Sequence, residues 1–285
     1  MQTEFSSIDE LMAMLLKVSK ESATYQKIAL YIEKNYLRVI FMTASELAEQ
    51  MKVSQGSVSR FFMAMGYQGY NGFLRNLQQI VTKQLTAPQR LQYSKEKHDP
   101  MGSAIEAEIA NLEAVVPLLK EAGSQRIMEA IASQKPLVLL SARMSATLLP
   151  YMSYILQKLR NDVEVVTPDR QEWGTLSLRN PEDVNILVVA YPRYANELLK
   201  QCQRLHDKGF NLLVITDSRL SPFASMASAA AFTPITTASL FDIYSTPMAY
   251  INLLLREAAK NIKGLDDRIE AIEELEKKDN VYFNP

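Results

Sequence analysis

The chain has 285 residues, 47% apolar and 22% charged, with a formal net charge of −1. These values fit two modest globular domains, exclude a disordered or fibrous chain, and argue against generalised polyanion binding. No stretch of eighteen apolar residues occurs and MQTEFSSIDELM lacks a cationic-then-apolar order, so neither a membrane span nor a signal peptide is expected, and a cytoplasmic location is.

Residues 6–85 read as almost continuous helix. Segments 7–18 and 25–35 carry apolar residues at three- and four-residue spacing, Ile8, Leu11 and Leu15 in the first and Ile28, Tyr31 and Ile32 in the second. The most informative stretch follows, TASELAEQMKVSQGSVSRFFMAMGYQGYNGF over 43–73. Thr43 with Glu46 forms a capping-box pattern that opens a helix over 44–51, Lys52 and Val53 make the turn, and Ser54 caps a second helix over 55–65 that Gly66 closes. Ala48, Val53, Val58, Phe61 and Phe62 stand where two crossing helices would meet.

Ser54, Gln55, Ser57, Ser59 and Arg60 are left at the start and outer side of the second helix. Hydroxyls, an amide and a guanidinium are the groups that hydrogen-bond base edges and phosphates. With Thr43, Lys52, Tyr67 and Arg75 they are the candidate contacts to double-stranded DNA; a plain αα-hairpin is the alternative for the same pattern. Between Lys52 and Lys97 seven basic residues face one acid, Glu96, so the positive charge lies where phosphates would run. One such helix reads few base pairs, which predicts a homodimer or tetramer on a palindromic operator.

A helix is expected to resume over 74–85. TAPQRLQYSKEKHDP, 86–100, is polar, contains two prolines and lacks periodicity, as a linker would. After a helix over 102–121 the rhythm changes. LVLLS (137–141), VEVVT (163–167), ILVVA (186–190) and LLVIT (212–216) read as strands buried on both faces, with a fifth over 231–235. Helices are expected over 145–160, 171–178, 195–208 and 244–262. Cys202, the single cysteine, excludes an internal disulfide and reads as packing. Alternating strands and helices imply a parallel sheet in an αβα arrangement, with ligands bound outside the carboxyl ends of the strands. The loops 141–145, 167–172, 190–196 and 216–221 are therefore the ones that could form a site.

A helix-turn-helix, a linker and a small αβα domain resemble the RpiR/MurR family of bacterial transcription regulators. FMTASELAEQMKVSQGSVSRF, the Gly-aromatic run GYQGYNGF and TDSRLSPFASMA carry the resemblance, which spans about residues 10–262. It implies an all-α N-terminal helix-turn-helix domain over 1–85, a linker over 86–101, an α/β SIS (sugar isomerase) domain with a five-stranded parallel sheet over 102–265, and a tail over 266–285. It also implies a regulator controlled by a small metabolite.

The phosphosugar turns depart from the family's pattern. The turn after the first strand is SARMSA, without glycine, and the turn after the third is AYPRYANE, where Ala, Pro, Arg and Ala replace the expected Ser, Ser, Gly and Thr. Small residues let amides approach a phosphate, and hydroxyls donate to it. Two arginines stand in their place, and a guanidinium fork can hold a carboxylate or phosphate bidentately. Ser141, Arg143, Ser145, Tyr191, Arg193 and Tyr194 are thus the candidate ligand residues, for a small anionic metabolite, a carboxylate before a sugar phosphate. Alternatively the arginines pair with Asp169, Glu172 or Glu197 and tie the loops together. No catalytic residue, metal-ligand spacing or cofactor motif is read: His98 falls in the linker and His206 on a helix. A DNA-binding regulator is expected rather than an enzyme; the alternatives are a ligand-independent DNA-binding protein with a vestigial SIS domain, then a SIS-type isomerase.

Overall fold

Ser7, Ser22, Thr43 and Ser54 each stand in extended backbone before a helix, and each side-chain oxygen accepts from the amide three residues on. They start α1 (Ile8–Ser19), α2 (Ala23–Val39), α3 (Ala44–Gln50) and α4 (Gln55–Ala64), and α5 spans Tyr70–Val81. The computed structural model describes residues 5, 7–81, 88, 90–91, 100–236 and 241–283. The expected helix end over 82–85 and most of the 86–100 linker, with Lys83, Lys95, Lys97 and His98, lie outside the described residues. The chain divides into two units, Met1–Glu113 with Pro234–Ser245, and Ala114–Thr233 with Thr246–Pro285.

In the first unit α5 begins earlier than the expected residue 74. Gly69, at φ +110, turns the chain just before Tyr70, whose hydroxyl donates to the carbonyls of Val39 and Met42. Leu11, Leu15, Ile28, Ile32, Leu47, Val58, Phe61, Phe62 and Phe73 form the core. Buried amides there are paired: Asn76 exchanges hydrogen bonds with both backbone groups of Phe5, and Gln78 donates to Ile40 O. The expected helix over 102–121 is two. Helix α6 (Pro100–Glu113) stops where the Pro117 ring would meet the Glu113 carbonyl, and α7 (Val115–Leu119) carries the proline.

The second unit adds α8 (Ala122–Ala132), a stretch to which the sequence analysis assigns no element, and Gly123 lies in its first turn. The glycine serves contact: a Cβ there would sit 1.8 Å from Ala230 O. Strands β1 (Leu137–Leu140), β2 (Val163–Val166), β3 (Asn185–Ala190), β4 (Asn211–Thr216) and β5 (Ala229–Phe232) form one parallel sheet in the order β2-β1-β3-β4-β5. β1 and β3 are buried throughout; β2, expected to be covered on both faces, is an edge strand with only Val166 fully buried.

A 3₁₀ segment, Arg143–Leu148, leads into α9 (Leu149–Leu159), so the expected 145–160 helix is α-helical only in its later part. Helices α10 (Asn196–Asp207) and α11 (Ser245–Ala259) match expectation, and Cys202 is buried in α10. Residues expected as a tail form α12 (Leu265–Lys278), with Asp266 and Asp267 in its first turn and Lys277 and Lys278 in its last, each complementing the helix dipole. Arg268 fastens it by donating to Lys158 O and Asn161 Oδ1.

Gly123→Ala is expected to lower unfolding free energy by about 1–3 kcal/mol or more, because Ala230 is backbone and cannot yield. Gly174→Ala, with nothing within 4 Å of its Cβ position, should be neutral or stabilising by up to about 1 kcal/mol. Denaturant titration of both variants checks the contrast.

Candidate DNA interface and effector site

The first unit holds α3 and α4 at a tight turn. Lys52 sits in the left-handed region at φ +52, and the Val53 amide donates back to Ala48 O at 3.0 Å. Val58, Phe61 and Phe62 are fully buried on the inner side of α4. Its other side presents Ser54, Gln55, Ser59 and Arg60 to solvent, with Ser57 half-buried. The exposed polar positions therefore share one surface.

Local bonds pre-set that surface. Ser54 Oγ accepts from the Ser57 amide and shares a hydrogen bond with its hydroxyl at 2.9 Å, while Arg60 Nη2 donates to Ser57 Oγ at 3.3 Å. Gln55 Nε2 donates to Ser45 Oγ, so the amide is oriented from the first turn of α3. Ser59 Oγ donates to Met63 Sδ at 3.9 Å. Arg60 lies back over Gly56, where a Cβ would come to 3.4 Å from Nη1. Lys52 is exposed at the turn and Arg75 half-buried.

Two candidates stand elsewhere. Tyr67 is only 4% exposed: its ring packs edge-on against Phe5 and Phe73, and its hydroxyl donates to Asn76 at 2.6 Å. It belongs to the core, because the turn at Gly66 swings it inward. Thr43 gives its side chain to the capping box, with Glu46 Oε2 accepting the Thr43 amide at 2.5 Å. Gly56, Ser45 and Met63, the last 57% exposed, join the outer surface. Met63, one turn beyond Ser59, could have been found from helical spacing.

In the second unit the strand order reverses between β1 and β3, and crevices in such sheets open at that point, outside the strand ends. The loops there are those carrying Arg143 and Arg193. Ser141 is fully buried and its hydroxyl donates to Val189 O at 2.6 Å; Ser145 Oγ accepts the Tyr191 amide at 3.0 Å. Tyr191 is buried, its hydroxyl hydrogen-bonded to Thr233. Tyr194 is half-buried beside Phe223 and bonds Asp217 Oδ1. Burial first, and then the Asp217 charge, push the Tyr194 phenol far above its usual range and keep it a donor. Thr216 and Ser221 close this cluster, which the sequence reading did not assemble.

Arg143, at φ +57, reaches Glu197 Oε1 through Nε at 3.2 Å with its side chain 78% exposed, which is one of the loop ties considered above. Arg193 is exposed. Several small polar groups of these two loops are already engaged. The Tyr191 amide is taken, Pro192 has none, and both serine hydroxyls are held within the fold. Burial raises the Cys202 thiol well above its usual range, so it is no thiolate nucleophile. Among the described residues no group of three His, Cys, Asp or Glu could hold a metal ion, and no helix is long and apolar enough to cross a membrane.

A family model described as a helix-turn-helix domain of the rpiR family matches residues 10–84, and a SIS domain model matches residues 130–256. No curated protein matches the chain. Among solved structures, the Vibrio vulnificus NanR protein complexed with ManNAc-6P is 16% identical over 95% of this chain and 100% of its own, with a TM-score of 0.54. The sugar isomerase domain of an RpiR transcription factor from Sphaerobacter thermophilus is 20% identical over 61% of this chain and 97% of its own, at 0.53. At these identities the likeness concerns the fold.

Gln55→Ala should cost about 1–3 kcal/mol at the base pair it reads and relax preference there. Lys52→Ala should instead weaken binding to all sequences and flatten its salt dependence. Titrations of specific and random duplexes at several salt concentrations distinguish the two effects. If Gln55→Ala and Arg60→Ala both bind as the parent does, α4 is not the reading helix.

Proposed function

The chain belongs to the RpiR family, joining a helix-turn-helix to a SIS domain, and from that premise we propose that it regulates transcription of a metabolic operon in response to a small anion. The observation that carries this reading is the outer side of α4, where Gln55, Ser57 and Arg60 are oriented by short-range hydrogen bonds while Phe61 and Phe62 are sunk in the core. A helix so fixed places its polar side chains against base edges with little ordering left to do on binding.

Control requires an effector that prefers one arrangement of the protein to another. The effector proposed is a carboxylate or sugar phosphate gripped by Arg143 and Arg193 at the β1/β3 crevice, beside Tyr194. The exposed Arg143–Glu197 pair is worth about 1 kcal/mol or less, so an entering anion can displace it. NanR was solved with ManNAc-6P, a sugar phosphate; the commitment of Ser141 and Ser145 to backbone partners favours a ligand held by guanidinium groups over one cradled by hydroxyls. The same commitment lends weight to the second reading, a DNA-binding protein whose SIS domain has no effector.

A thermal-shift screen of sugar phosphates and small carboxylates tests this reading. An active compound should lose its effect on operator affinity in Arg143→Ala and Arg193→Ala, with binding weakened tenfold or more, while DNA binding without ligand is unchanged. Stabilisation by none of the compounds would favour the second reading. The homodimer is tested separately: residues 101–285 should be at least dimeric by light scattering at tens of micromolar, and residues 1–86 should bind DNA much more weakly than the full chain.

A further inference from the structure

Arg90 lies outside the helix-turn-helix and the β1/β3 crevice, and its guanidinium has only part of its bonding met. The side chain is 5% exposed and Nη1 donates to Asp242 Oδ1 at 2.6 Å, with the Asp242 side chain 7% exposed. Nε and Nη2 are buried and have no hydrogen-bond partner. These two atoms form one edge of the guanidinium, where two N–H bonds run parallel, and that edge receives the paired oxygens of a carboxylate or phosphate. Leaving buried donors of a cation unmet is costly, so an acceptor is called for.

The surroundings hold the edge in place. Asp242 holds the guanidinium through Nη1, the nitrogen that is not part of that edge. Asp242 is itself anchored in the segment Pro234–Ser245, which belongs to the same unit as Arg90. The Ile243 amide donates to Thr236 O at 3.0 Å, Asn111 Nδ2 donates to Thr236 Oγ1 at 3.0 Å, and the Ser245 hydroxyl donates to Glu108 Oε2. Both ends of the segment are therefore tied to α6.

We propose that Arg90, oriented by Asp242, is the bidentate anchor of a second site for a small oxyanion, a carboxylate or a phosphate group. Asp242 balances the cation, so the protein tolerates it buried without ligand, and the free fork supplies recognition through two parallel hydrogen bonds. The site is independent of the effector grip proposed at Arg143 and Arg193.

Calorimetry and thermal melts on the full chain, with inorganic phosphate and acetate as separate probes, test it. At least one probe should bind saturably to the parent, and equally to the Arg143→Ala/Arg193→Ala double variant. Arg90→Lys keeps the positive charge opposite Asp242 but has no fork, and should bind that probe at least tenfold more weakly. If Arg90→Lys does not fold, Arg90→Leu/Asp242→Leu, which removes both charges together, should abolish the binding. Absence of saturable binding in the parent, loss in the double variant, or undiminished binding in the Arg90 variants would overturn the proposal.

Discussion

Ring packing behind α4 is the constraint on which its outer, proposed DNA-facing surface depends. Phe62 stacks on Phe73 at 4.2 Å and meets Phe61 edge-on at 5.1 Å, while Phe61 meets Tyr25 at 5.4 Å. These contacts bring α2, α4 and α5 onto the same rings, so the roll of α4 about its axis is fixed by bulky, shape-specific groups. With the roll fixed, Gln55, Ser59 and Arg60 have no choice but to face outward. Removing Phe61 or Phe62 would thus affect recognition through orientation before it affected any polar contact.

In the SIS domain the same logic works through hydrogen bonds. Sheet order brings the β1 and β3 loops together, but their small polar groups are turned inward: Ser141 to the end of β3, Ser145 to the Tyr191 amide, and Tyr191 to Thr233 near β5. These bonds knit three strand ends into a rigid floor. Arg143 and Arg193 are left exposed on the same loops, the first paired with Glu197.

Much of this was legible in the sequence, because the signals were local. The capping box at Thr43, the Ser54 cap and the runs of β-branched residues specify elements without reference to the rest of the chain. What stayed hidden depends on contacts distant in sequence. The need for glycine at position 123 shows only when Ala230 lies against it; Tyr67 reads as a DNA contact until Asn76 receives its hydroxyl. The Arg90–Asp242 pair spans 152 positions and has no periodic signature. At the strand ends the loops were identifiable from topology, whereas the inward turn of Ser141 and Ser145 was not, since a hydroxyl in a loop reads the same whether it faces solvent or backbone.

The turn between α3 and α4 holds a lysine in a conformation that glycine occupies at no steric cost, and an L-residue there gives up about 1–2 kcal/mol. Glycine at position 52 would therefore make a more stable domain with one less cation at a turn proposed to face DNA. If Lys52 meets phosphates as proposed, stability and affinity pull this residue in opposite directions, and selection for heat resistance alone would drift toward glycine at the expense of binding.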